Sequence, residues 1–345
     1  MRLGRPVRGQ MLAGLDASGH DFTGAVFSGC QLAGSYWAGA QLEGASFIDC
    51  ELDAAVFCDA GLRRTAFCQS RLAGSDWRGT AGTMLAFSQC DLRQSRWDGA
   101  NLEKSMLTKC DIGGSFWIGA RLLRSAFADC QWSASDWQDA ELQQVSLNEA
   151  QLQEARLSGM RASTSLFIKA SFAGQKLAGA SLLRCTLQGA DFSGADLSRA
   201  SIRESNCSEA CFSATLMSGI DATRCQFLKA KFDRVNLDGA QLEGAVLQKA
   251  QLKEVSLRGA GLVKTIWDHS RHDSVVFAGS DLQFAQFAHA NGRAMDFRYC
   301  KLDRTSFHCA VWTGADFTGA NVAAALGTQE ARAAAEKRSL EMEAA

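Results

Sequence analysis

The chain repeats every five residues, and that period excludes most folds. Between Leu12 and Val322 lie 63 consecutive units with no inserted or deleted residue. The third position of each unit falls on a number ending in 2 or 7: Phe22, Phe27, Leu32, Trp37, Leu42, Phe47. The first falls on a number ending in 0 or 5: Ala25, Cys30, Ser35, Ala40. None of these positions is Asp, Glu, Lys or Arg, although 21% of the chain is charged. An unpaired charge in a dry interior is very costly, so both positions are expected to face inward. A period of five is neither that of a helix nor that of a plain strand. It suits a chain that turns a corner at every unit.

A longer period sets the number of corners. Cys30, Cys50, Cys90, Cys110 and Cys130 are separated by 20 residues or a multiple of 20, as are Trp37, Trp77, Trp97, Trp117 and Trp137. Each of these Trp residues has Ser two positions earlier: Ser35, Ser75, Ser95, Ser115 and Ser135. Four units per coil, and so four walls, place like residues above one another. Gly recurs two residues after the centres of the fourth wall, as at Gly19, Gly39, Gly79 and Gly99. A tight corner with positive φ accounts for it. Small centres at Ala162 and Ala222 follow the enlarged first positions Met160 and Ile220. That compensation implies a filled interior. His272 and Gln175 are expected to be hydrogen-bonded exceptions within the core.

The units A-D-F-S-G at Ala190, A-D-L-S-R at Ala195, A-N-L-E-K at Ala100 and A-D-F-T-G at Ala315 resemble the pentapeptide-repeat family pattern. The resemblance covers about nine-tenths of the chain. It implies an all-β fold, a right-handed quadrilateral β-helix, here of about 15 coils. The handedness comes from the resemblance alone. The expected organisation is an N-terminal cap at 1–11, a β-solenoid at 12–322 and a helical tail at 323–345. In the tail Thr328 is placed to cap a short helix that begins near Glu330. That helix serves as a terminal cap or as a dimerisation element.

Thirteen Cys invite a disulfide reading, but eight occupy first positions, where they act as small core residues. Reduced thiols and a cytoplasmic location are expected, or export without a cleaved signal peptide. The segment 1–11 lacks the apolar run of a secretion signal, and no membrane span is expected. With a net charge of −1, no general attraction to nucleic acid follows.

A filled solenoid offers no cleft, and no catalytic constellation has usable spacing. No enzyme activity and no cofactor are expected. The outward positions carry the remaining information. Of the residues flanking each centre, the walls that contain Phe22, Leu32 and Trp37 have 13 charged sites apiece, and the wall that contains Phe27 has one, Asp268. This uncharged wall presents Val26, Ile48, Cys68, Met106, Leu166, Ile168, Leu228, Val246 and Ile266. A long uncharged strip of this kind is expected to dock a protein partner or a second copy. The corner leading into it is basic: Arg64, Lys104, Arg124, Arg184, Arg224, Lys264 and Arg304, against Glu204. An acidic row on a partner would be oriented by it. His269, His289 and Cys309 share one column and are the candidate metal ligands.

The resemblance implies a non-enzymatic bacterial interaction scaffold, with a component or effector of a secretion system as one form. The alternative it offers is a DNA mimic of the quinolone-resistance type that binds topoisomerases. The near-zero net charge and the basic corner row depart from that model.

Overall fold

Nearly every corner among the described residues rests on one backbone device. Residues at positions ending in 4 or 9 take positive φ, as at Gly34 (64°), Gly39 (66°) and Arg64 (58°), with Glu154 an exception within the repeat. At many corners the chain closes a type II turn, with Ser35 N–H donating to Leu32 O at 3.1 Å and Ala40 N–H to Trp37 O at 3.0 Å. Gly accepts this conformation without steric cost. Asp, Gln, Glu, Lys and Arg adopt it as well, so the corner is imposed by pairing between coils rather than by local preference.

The structure, a computed structural model, describes residues 6–343. The first five residues of the expected cap lie outside the described residues. Val7 and Arg8 pair with Phe27 and Ser28. The chain divides into two units, Met1–Gln175 and Lys176–Ala345.

In the first unit the wall of Phe27 is a parallel sheet of seven short strands: Val7–Arg8, Val26–Ser28, Ser46–Ile48, Ala66–Cys68, Ala86–Ser88, Met106–Thr108 and Ala126–Ala128. Each residue pairs with the one 20 positions on, as Phe27 with Phe47 and Phe47 with Phe67. The wall of Phe22 carries Ala81–Thr83, Asn101–Glu103, Arg121–Leu123, Glu141–Gln143 and Arg161–Ser163. The remaining walls are joined by single parallel bridges, such as Gln31 with Glu51 and Asp76 with Arg96. In the second unit a six-stranded sheet lies on the wall of Phe212: Cys211–Ser213, Lys231–Asp233, Gln251–Lys253, Arg271–Asp273, Asn291–Arg293 and Val311–Thr313. Leu326 bridges to Ser306, and helix α1 follows over Glu330–Glu343. The fold is thus an all-β, right-handed quadrilateral solenoid of about 15 coils with a short C-terminal helix.

The interior is made of vertical ladders. Trp77, Trp97, Trp117 and Trp137 stack with ring centroids 4.6–4.7 Å apart and planes within 2–5° of parallel. The Ser two residues before each is its hydrogen-bond partner: Trp97 Nε1–H donates to Ser95 Oγ at 2.9 Å, and Ser95 Oγ–H donates to Leu92 O at 2.6 Å. A buried indole N–H is satisfied by the nearest available hydroxyl. The first-position Cys residues use the same geometry, with Cys90 Sγ 3.4 Å from both Phe67 O and Ser88 O. Cys30, Cys50, Cys90, Cys110 and Cys130 are free thiols.

Neighbours fill the space at the small centres. A side chain at Gly292 would lie 2.8 Å from the Trp312 ring and 3.0 Å from Met295 Sδ, and Leu85 and Leu102 occupy the space beside Gly82. Gln175 is buried, and its Nε2 donates to Leu152 O, Gln153 O and Ala155 O at 2.6–2.9 Å.

Candidate docking wall and C-terminal side-chain cluster

In the first unit the uncharged strip coincides with the seven-stranded sheet and the bridges that extend it from Ala126 to Ser146 and on to Leu166. Alternate residues of a strand face opposite sides. The buried centres Phe47, Phe67 and Leu107 therefore leave their neighbours outward. Ile48, Met106 and Leu166 are exposed, while Cys68 and Ile168 are half-buried. In the second unit the same column is bridged from Asn206 through Gln226 and Val246 to Ile266. Here Leu228, Val246 and Ile266 are half-buried. The wall's one charged flanking residue, Asp268, uses its carboxylate to accept the N–H of Ala288 at 3.0 Å.

Charge on the other walls is largely cancelled locally. Arg78 pairs with Asp76 at 2.6 Å, Arg96 with Asp98 at 2.7 Å and Arg298 with Asp296 at 2.8 Å. The Arg78 guanidinium and backbone hydrogen bonds hold the Asp76 carboxyl below its ordinary value against the opposing effect of burial. Those walls also carry apolar residues that the charge census passed over. Tyr36, Phe116, Ile118 and Leu216 are exposed on the wall of Trp37, and Arg96 sits over the Phe116 ring. A search for exposed aromatics at outward positions would have found them.

All seven residues of the basic corner have positive φ, between 53° and 58°. Lys104 pairs with Glu103 at 3.2 Å and Arg184 with Glu204 at 2.9 Å. Arg124 donates to Gln144 Oε1 at 2.9 Å, and Arg304 lies over the Phe284 ring. Among the described residues Arg64, Arg224 and Lys264 form no ion pair.

At the end of the second unit four side chains converge. His289 Nε2 and His308 Nε2 lie 2.9 and 3.1 Å from Glu336 Oε2, and Cys309 Sγ is 3.6 Å from His308 Nε2. His308 is buried, and its Nδ1 accepts the N–H of Gln329 at 3.2 Å, so neutral His308 carries its proton on Nε2 and donates to Glu336. Hydrogen bonds from His308, Arg332 and His289 hold the Glu336 carboxyl down to about 2. Thr328 Oγ1 accepts the N–H of Cys309 at 3.1 Å, a link to the last coil in place of the expected helix cap. The expected column of His269, His289 and Cys309 is only partly brought together. His269 stacks on the His289 ring at 4.9 Å but stands outside the cluster, which instead includes His308 and Glu336.

Two family models match the sequence. One, a pentapeptide repeat region, covers residues 83–157. The other, pentapeptide repeats in eight copies, covers 25–64, 38–74, 165–203, 180–219 and 225–262. Together they span more than half of the chain. The chain belongs to the pentapeptide-repeat family. No curated protein matches it. Similar solved structures include HetL, a pentapeptide-repeat protein involved in heterocyst differentiation regulation in the cyanobacterium Nostoc. HetL is 21% identical over 70% of this chain and 89% of its own, with a TM-score of 0.32. Rfr23 from the cyanobacterium Cyanothece is 19% identical over 31% of this chain and 63% of its own, with a TM-score of 0.24. QnrB1, a plasmid-mediated fluoroquinolone resistance protein, is 18% identical over 75% of this chain and 96% of its own, with a TM-score of 0.25. These likenesses concern the fold alone. Among the described residues of this pentapeptide-repeat protein, no helix is long and apolar enough to cross a membrane.

Proposed function

We propose that this pentapeptide-repeat protein is an interaction scaffold that docks a protein partner on its uncharged wall, as a component associated with a bacterial secretion system. The carrying observation is the single charged flanking residue on that wall, Asp268, set against 13 on each of the others. Its carboxylate is engaged by the wall's own backbone. Exposed Ile48, Met106 and Leu166 supply apolar area in the first unit. In the second unit Arg224 and Lys264, which form no ion pair among the described residues, would orient an acidic row on the partner from the adjoining corner. The ion pairs on the charged walls speak against imitation of duplex phosphates, because their carboxylates already have cationic partners.

The test replaces Leu166 and Ile168 together by Asp. Co-purification from the native host and mass by light scattering are compared with wild type and with Ser163→Asp on the neighbouring wall. The expected result is loss of association in Leu166→Asp/Ile168→Asp alone, with the thermal transition retained. Association that survives the double variant removes the docking reading.

A further inference from the structure

The cluster of His289, His308, Cys309 and Glu336 holds four donor atoms of three chemical kinds, all within 4.8 Å of one another. Two imidazole nitrogens, a thiol sulfur and a carboxylate oxygen are the donors that Zn²⁺ takes in tetrahedral sites, at about 2.0–2.3 Å. Bonds of that length set the ligand atoms about 3.3–3.6 Å apart along the edges of the tetrahedron. Three of the six separations here are 2.9, 3.1 and 3.6 Å and no pair is further apart than 4.8 Å, so the ligands reach tetrahedral edges by shifts of about 1 Å. The ligands also come from separate parts of the second unit: His289 from one coil, His308 and Cys309 from the next, and Glu336 from helix α1. Cys309 is held at φ 50°, and its N–H is fixed by Thr328.

We infer that His289, His308, Cys309 and Glu336 form a tetrahedral divalent-metal site, best matched to Zn²⁺, that fastens helix α1 to the last coils. A thiolate with two imidazoles selects Zn²⁺ over Mg²⁺ or Ca²⁺, which favour all-oxygen shells. Loading releases the Cys309 thiol proton to solvent. It also moves the His308 proton from Nε2 to Nδ1, which displaces the N–H of Gln329. The start of α1 is thereby coupled to occupancy. The inference is independent of the docking wall.

The test titrates the full chain, reduced and stripped with chelator, with Co²⁺ as a spectroscopic probe. Wild type is expected to take up one equivalent, with a thiolate-to-cobalt charge-transfer band in the near ultraviolet and ligand-field bands of tetrahedral intensity. Cys309→Ser abolishes the charge-transfer band. Glu336→Gln, a conservative change on a partly exposed helix, weakens uptake by more than about 100-fold, since even loss of a residue that only orients a ligand costs about 10–100-fold. His269→Ala leaves both unchanged. Zn²⁺ slows amide exchange along α1 in wild type but not in Glu336→Gln. No stoichiometric uptake by wild type would overturn the inference. So would uptake and spectra unaltered by Cys309→Ser and Glu336→Gln, or exchange in α1 that ignores the metal.

Discussion

Ser95 shows how one hydroxyl fixes a large ring. Its oxygen accepts from Trp97 Nε1 and its proton goes to Leu92 O, so both groups of a buried pair are satisfied. Ser95→Ala leaves the indole N–H buried without a partner and should cost about 1–3 kcal/mol, read as a lower denaturation midpoint with an unchanged slope. His272 poses the opposite problem. Ser270 donates its hydroxyl proton to Trp267 O and therefore accepts from His272 Nε2–H at 2.7 Å. The tautomer this requires leaves Nδ1 buried with no partner. Burial pushes the His272 pKa down from 6.5 to about 3, which keeps the folded side chain neutral. Between those values the unfolded chain binds the extra proton, so stability rises with pH across that window and falls on acidification. At pH 4 His272→Leu should remove about 3 kcal/mol of that acid-dependent loss. Chemical denaturation of both proteins at pH 7 and pH 4 isolates the difference from the carboxylates they share. The sequence marked Ser95 and His272 as special. The acceptor role of Ser270 needed the rotamers.

The corner was legible in part. Gly19, Gly39 and Gly79 announced positive φ, and they have it, at 65–66°. Arg64, Lys104 and Arg124 gave no such signal, because local propensity opposes what inter-coil pairing imposes on them. A left-handed L-residue pays roughly 1–2 kcal/mol relative to the right-handed conformation. Arg64→Gly should accordingly raise stability by about 1 kcal/mol, after the entropy that Gly adds to the unfolded chain. A rise in melting temperature together with weaker partner association would separate the strain at this corner from the use of its charge. The C-terminal cluster shows where sequence reasoning stopped. The column rule found His289 and Cys309 because they are 20 residues apart. It missed His308 because that residue occupies an outward slot of the uncharged wall, yet is buried and bonded to Gln329 and Glu336 of the tail. Glu336 lies on a helix outside the repeat, and no periodicity can say which coil a helix packs against.

Within each unit the repeat made the fold readable to an unusual degree, because inward and outward are fixed by residue number alone. Trp77 and Trp97 are vertical neighbours, with planes 2° apart, and the census of each wall therefore counts residues that share a surface. What it could not rank was the exposed apolar group of Tyr36, Phe116 and Ile118 on a charged wall, since a charge count ignores ring area. The uncharged wall remains the most uniform surface in either unit, and the paired aspartyl substitution at Leu166 and Ile168 addresses it directly.

Pairing at an interval of 20 residues has a genetic consequence. Within the first unit, an in-frame loss of one full circuit, such as residues 86–105, would leave each later side chain on the surface where it now stands. Loss of only five would turn all later surfaces by a quarter, bringing arginines and aspartates onto the strip now kept free of them. Slippage during replication can therefore change the length of such a gene in whole circuits without erasing what its surfaces say, and shorter slips would scramble them.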